Sequence, residues 1–132
     1  MAQSTPITPT VLIVEDETLV RMFACDIASD AGYRVIEASN AREALVALEA
    51  NPEIGIVFTD IHMDGGMNGL QLAHAVRDRW PPMRFIVVSG HMKVAADQLP
   101  AESRFFSKPY EVSEITDALG RLATDWRGAS PV

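Results

Sequence analysis

Five polar residues stand where apolar runs of this chain stop. Thr10-Val11-Leu12-Ile13-Val14 ends in Glu15 and Asp16, Ile54-Gly55-Ile56-Val57-Phe58-Thr59 ends in Asp60, Phe85-Ile86-Val87-Val88 ends in Ser89, and Arg104-Phe105-Phe106-Ser107 ends in Lys108. If these runs are parallel strands of one sheet, three carboxylates, a hydroxyl and an ammonium meet at one edge. That edge is where open parallel sheets bind ligands. Two carboxylates about 4 Å apart repel by roughly 4 kcal/mol at an effective dielectric of 20, so three together call for a cation. Oxygen ligands with retained water suit Mg²⁺, at about 2.0–2.1 Å. A carboxylate in such a site can attack a phosphorus centre while the ion shields the phosphoryl oxygens. Lys108 can pair with Asp60 and then with an added phosphoryl group. Ser89 offers a hydroxyl donor, and Gly90 leaves room for a phosphodonor or an attacking water.

The elements that position these groups are read from hydrophobic spacing. A continuous apolar strand over 10–15 is followed by helical spacing over 17–31, with Leu19, Met22, Phe23, Ile27 and Ala31 on one inward face and Gly32 as the stop. A second strand spans 33–38. Asn40 and Glu43 resemble a capping box that opens a helix to about residue 50, with Leu45 and Leu48 inward and Asn51-Pro52 as its end. The third strand, 54–60, leads into a flexible Asp64-Gly65-Gly66 loop. A helix over 68–79 then buries Leu72, Ala73 and Val76 before Trp80-Pro81-Pro82 stops it. A fourth strand spans 83–89, a short or irregular fourth helix is expected within 93–98, and a fifth strand spans 104–106. The last helix, 111–126, carries Val112, Ile115, Leu119, Leu122 and Trp126 on one stripe. Strand and helix alternate five times with short connections. The fold class is therefore α/β, a doubly wound, five-stranded parallel sheet with helices on both faces.

A chain of 132 residues, 48% of them apolar, fits one domain with one interior. The domain is placed at 10–126, between a flexible N-terminal tail (1–9) and a C-terminal tail (127–132). A net charge of −7 and a pI of about 4.8 argue against a nucleic-acid partner, which needs Lys and Arg to neutralise phosphates. The lone cysteine, Cys25, excludes an internal disulfide and reads as a buried thiol. Residues 1–9 lack the basic and apolar regions of a secretory signal. No run approaches the ~18–20 apolar residues of a membrane span. The expected location is the cytoplasm, away from membranes.

The chain resembles the receiver domain of two-component response regulators over about residues 10–126. Leu12-Ile13-Val14-Glu15-Asp16-Glu17 is similar to the family's acidic pair after the first strand, and Phe58-Thr59-Asp60-Ile61-His62-Met63 to its phosphoacceptor strand end. Val88-Ser89-Gly90 matches its hydroxyl position and Ser107-Lys108-Pro109 its lysine-proline. The resemblance implies strand order 2-1-3-4-5 and a single-domain regulator in phosphorelay signalling. Asp60 would accept a phosphoryl group from a sensor histidine kinase or a histidine phosphotransfer protein. Asp16 would bind Mg²⁺ directly, Glu15 mainly through water, and Asp60 and the backbone carbonyl of His62 would complete the protein ligands. Ser89 and Lys108 would engage the phosphoryl oxygens, the Lys108–Pro109 bond would be cis, and Phe105 would be the switch aromatic that signals to a downstream protein. Such a protein promotes only its own phosphorylation and dephosphorylation, and is a monomer or weak dimer.

Three departures stand out. Asp64 occupies the place where the family often has proline, the loop to Gly69 is one residue longer, and the stretch from Ser89 to Lys108 is short. His62 and His91 are expected to flank the pocket, neither with the company expected of a zinc site. His74 reads as an ordinary helix-surface residue. Other functions compete with the switch; the first of them, a sink or shuttle, is not separated from it by the sequence, and the other two fit less well. A phosphate sink or shuttle would need only fast transfer and turnover. An aspartate-nucleophile phosphatase usually carries a second acid two residues past the nucleophile, where this chain has His62. A flavodoxin-like flavin binder needs a hydroxyl- and glycine-rich phosphate loop after the first strand, where Glu15-Asp16-Glu17 would repel a phosphate.

Overall fold

The computed structural model describes residues 8–63, 65–91, 93–124 and 126. Residues 1–7 of the tail expected at 1–9, the tail expected at 127–132, and Asp64 of the glycine-containing loop lie outside the described residues. The order is β1 (Thr10–Val14), α1 (Thr18–Asp30), β2 (Val35–Ala38), α2 (Ala41–Ala50), β3 (Ile54–Asp60), α3 (Gly69–Arg79), β4 (Arg84–Ser89), a 3₁₀ turn (Ala96–Gln98), β5 (Ser103–Ser107) and α4 (Val112–Ala123). The five strands form one sheet in the order β2-β1-β3-β4-β5, and every pairing is parallel. The short, irregular element expected between β4 and β5 is a single 3₁₀ turn. The described residues thus hold four α-helices.

The sheet is buried on both faces because its strands send alternate side chains to opposite sides. Leu12 and Val14 of β1, Val57 of β3, and Phe85 and Val87 of β4 pack with α2 and α3. Val11 and Ile13, Ile56 and Phe58, and Ile86 and Val88 pack with α1 and α4. The faces expected of the later helices hold: Leu48, Leu72, Ala73, Val76, Ile115, Leu119 and Leu122 are buried.

Two expectations are corrected. On α1 the buried residues are Ala24, Ile27 and Ala28, while Leu19 is 79% exposed and Met22 and Phe23 are about half exposed. The helix carries two apolar stripes, and the one with small residues lies against the sheet. Val112, at the first position of α4, is also exposed. Cys25 is partly buried and packs against the α1/α4 core, which pushes its thiol up to about 11.

The caps follow the sequence closely. The Asn40 side chain accepts from the Glu43 amide at 2.8 Å, and the Glu43 carboxylate reaches back to the Ser39 amide and hydroxyl, both at 2.8 Å. A second capping box, Asn68 with Gln71, opens α3. Pro9, assigned above to the tail, is buried. It lies with Trp126 over Gly55, where any side chain would meet both.

Candidate functional site

Parallel pairing delivers the carboxyl ends of β1, β3, β4 and β5 to one edge of the sheet. Val14 is level with Thr59, Asp60 with Val88, and Ser89 with Ser107. The polar residues that follow are therefore neighbours. The Lys108 ammonium donates to Asp60 Oδ2 at 3.0 Å and to Glu15 Oε1 at 3.1 Å. Carboxylate oxygens of Glu15, Asp16 and Asp60 all lie within 4.8 Å of one another. Ser89 is buried, its carbonyl accepts from the Lys108 amide at 2.9 Å, and its Oγ accepts from the His91 amide at 3.2 Å. The Lys108–Pro109 peptide is cis.

Local chemistry fixes the acids. Thr59 Oγ1 donates to the Asp60 carbonyl at 2.9 Å, and the His62 amide donates to Asp60 Oδ1 at 3.3 Å. Glu15 Oε2 accepts from the Glu17 amide at 3.1 Å, and Arg21 Nη1 donates to the Glu15 carbonyl at 2.8 Å. Gly69 allows the first turn of α3 to sit on the end of β3. Its amide donates to the Ile61 carbonyl at 2.8 Å, and a Cβ there would fall 1.9 Å from the Asp60 carbonyl oxygen. Gly65 and Gly66, with φ of 74° and 85°, carry the longer loop through the left-handed region that favours glycine.

The charges are poorly solvated. Asp60 is 5% exposed and Glu15 3% exposed. Burial pushes the Glu15 carboxyl up to about 7, with the nearby Asp60 charge adding to the rise and the Glu17 amide and Lys108 opposing it. Burial pulls the Lys108 ammonium down, but its hydrogen bond to Asp60 and the two carboxylate charges outweigh that, and its pKa is raised. Lys108 thus bridges two of three clustered carboxylates. This all-oxygen donor set fits a hard divalent cation, which could be held by Glu15, Asp16 and Asp60.

The site opens into a crevice of about 410 Å³ lined by Asp16, Asp60, His62, Gly90, His91 and Lys108, among others. The sequence reading placed His62 and His91 beside the pocket but did not bring them together. Their rings lie side by side, centroids 5.0 Å apart. Phe105 is separate from this group. It is half-buried, level with Val87, and packs on the α2/α3 side of the core. His74 is more than a surface residue, since its Nε2 lies 2.6 Å from the Gln98 carbonyl oxygen. Among the described residues, no helix is long and apolar enough to cross a membrane.

The geometry has counterparts in known proteins. The family model of the response regulator receiver domain matches residues 11–120. The chain is 38% identical over 117 residues to the sensor kinase CckA of Brucella abortus, covering 86% of this chain and 12% of CckA. It is 25% identical over 115 residues to the response regulator receiver protein CpdR of the same organism, covering 85% of this chain and 94% of CpdR. Across the other curated relatives compared, the chain spans as little as 17% of the relative's length. A solved response regulator receiver protein from Sinorhizobium medicae superimposes with a TM-score of 0.82 at 26% identity, over 89% of this chain and 96% of that one.

Proposed function

The chain belongs to the response regulator receiver domain family, and from that premise we propose that Asp60 is its phosphoacceptor in two-component signalling. The observation that carries the reading is the arrangement of Lys108, which bridges Asp60 and Glu15 at 3.0 and 3.1 Å inside a three-carboxylate cluster. Asp16 and Asp60, the His62 carbonyl and, through water, Glu15 would hold Mg²⁺, which when bound supplies positive charge for the phosphoryl oxygens.

One Asp60 carboxylate oxygen attacks the phosphorus of a phosphohistidine. The P–O bond forms as the P–N bond breaks, and the imidazole leaves with the bond's electron pair and takes up a proton. The Lys108 ammonium, already on Asp60, transfers to a phosphoryl oxygen, and the Ser89 hydroxyl turns to donate to another. Because Ser89 and Lys108 are joined by a backbone hydrogen bond, their movement shifts the ends of β4 and β5 together. Phe105, on β5, carries that shift to the surface a downstream protein reads.

The phosphodonor is a sensor histidine kinase or a histidine phosphotransfer protein. Leu19, Met22 and Phe23 of α1 are exposed, and Phe23 stacks on Tyr110, two residues past Lys108. They would offer this donor an apolar surface on α1, which Phe23 continues to Lys108 and Tyr110. The protein modifies only itself and turns over no separate substrate.

Incubation with Mg²⁺ and acetyl phosphate tests the core of this reading. The expected result is a phosphoryl mass increase, stable in acid and labile in base, that Asp60→Asn abolishes. An undiminished adduct on Asp60→Asn, or none on the wild type, overturns it.

A further inference from the structure

We propose that His62 and His91 form a second metal site, at the mouth of the acidic crevice, for a divalent ion of the zinc class. His62 lies two residues past the end of β3 and His91 two past the end of β4, and these are adjacent parallel strands. Asp60 is level with Val88, so both chains leave the sheet at one edge, and the two rings lie side by side there with centroids 5.0 Å apart and planes inclined by 57°. Both backbones are pinned, the His62 amide to the Asp60 carboxylate and the His91 amide to the Ser89 hydroxyl.

The separation matches a shared ion. An imidazole nitrogen binds zinc at about 2.0–2.1 Å, and the ring centre lies roughly 1.1 Å behind it, so each centroid sits ~3.2 Å from the metal. Two centroids at that radius are ~4.5 Å apart at a right angle and ~5.2 Å apart at the tetrahedral angle. The observed 5.0 Å falls between these limits.

A plain aromatic contact also covers this range, and the surroundings separate the two. Both rings line the crevice that holds the Asp16 and Asp60 carboxylates, whose field draws cations. A neutral imidazole presents one lone-pair nitrogen. Nitrogen donors favour zinc, copper and nickel over magnesium, so this site and the all-oxygen cluster select different ions. Two imidazoles are fewer than the three or four protein ligands of a full zinc site, which is why neither histidine had a zinc site's company in the sequence; they leave the remaining positions to water, which makes the ion exchangeable. Held in the crevice that Asp60 also lines, it would obstruct a phosphodonor. That consequence rests on the phosphoacceptor reading, whereas the binding does not.

Zinc titration of the full chain at saturating Mg²⁺, followed by imidazole ¹H–¹⁵N correlation spectra, tests the site. The chain has three histidines, and His74, on α3, is the internal reference. The expected result is that the His62 and His91 ring signals shift together and saturate at one zinc per chain while His74 stays in place. Removing a direct ligand should weaken zinc binding roughly ten-fold or more, in His62→Ala and in His91→Ala alike. Wild-type zinc affinity in either variant overturns the site, as does loss of binding in Asp60→Asn with both histidine variants unaffected. The mass assay with acetyl phosphate is run without zinc, so failure of either reading leaves the other standing.

Discussion

Replacing Gly69 and Gly120 by alanine, one at a time, should move stability in opposite directions. At Gly69 an added Cβ would lie 1.9 Å from the Asp60 carbonyl oxygen, 2.7 Å from its carbon and 2.9 Å from Ile61 Cα. All three are backbone atoms of the β3 end and cannot rotate away. Ordinary contact begins near 3.4 Å, so the first turn of α3 must retreat by about 1.5 Å. Overpacking costs about 1–3 kcal/mol, here at the upper end because the obstacle is backbone. Stretching the Gly69 amide bond to the Ile61 carbonyl adds about 1 kcal/mol. At Gly120, inside α4 and exposed, nothing lies within 4 Å of the added Cβ. There alanine should stabilise by about 0.5–1 kcal/mol through helix propensity. With a urea m-value of about 1.5–2 kcal/mol/M, the unfolding midpoint should fall by roughly 2–2.7 M for Gly69→Ala and rise by roughly 0.3–0.7 M for Gly120→Ala, at unchanged m. The folded fraction of Gly69→Ala should also label slowly with acetyl phosphate, since the retreat displaces the Asp60 turn. A Gly69→Ala midpoint within about 0.3 M of wild type would refute the steric reasoning.

Two further outcomes follow from the site and its supports. In the absence of divalent cations, Glu15 should make stability fall as pH rises from about 4.5 to about 7. Its folded carboxyl keeps its proton up to about 7 while the unfolded one releases it near 4.5. The raised group contributes its full stability below the lower value and loses it through the upper one, about 3 kcal/mol in all. Urea melts in EDTA across that window should show a limb that Glu15→Gln flattens, and an equal slope in both proteins would count against it. Removing the His74 ring should free the 3₁₀ turn without unfolding the domain. Loss of its 2.6 Å contact to Gln98 O is worth about 1 kcal/mol locally, so the Gln98 and Leu99 amides should exchange roughly five-fold faster in His74→Ala. Unchanged exchange would show that the ring does not hold the turn.

The sheet and the acidic edge were legible because they depend on features that survive in one dimension. Apolar runs mark doubly covered strands, and the residue that ends each run must lie at the same edge once the strands are parallel. The α1 face was not legible. Leu19, Met22 and Phe23 repeat with helical spacing as Ala24, Ile27 and Ala28 do, and only the close approach of the sheet selects the smaller set. The histidine pair was present in the sequence only as two residues shortly past separate apolar runs, His62 after Asp60 and His91 after Ser89. It becomes a pair only once β3 and β4 are known to be neighbours. The role of Gly69 was hidden for a similar reason. A glycine at a helix start reads as loop punctuation, and nothing in the sequence places it against a carbonyl of the preceding strand.

On the phosphoacceptor reading proposed above, the short connection between β4 and β5 would change how a signal leaves the site. The 3₁₀ turn and its flanks are tied to α3 by side chains, His74 to the Gln98 carbonyl at 2.6 Å and Arg77 Nη1 to the Met83 and Ala101 carbonyls at 3.1 and 2.5 Å. Val94, Leu99 and Phe105 pack on the core beside that tie. A displacement of Ser89 therefore meets a segment anchored at one side by α3 and at the other by β5, rather than an independently packed helix. Such a segment has few apolar contacts of its own and its polar anchors are exposed, which puts it at the low-stability end of the domain. Repacking it costs less than sliding a full helix across the sheet. The acidic cluster would act in the same direction, because the Lys108 ammonium bridges Asp60 and Glu15 and charge added at Asp60 would draw it away from Glu15. If Asp60 is the acceptor proposed above, its modification would move the ammonium that bridges it to Glu15, and the neighbouring segment that would yield is the one bonded to α3 by His74 and Arg77.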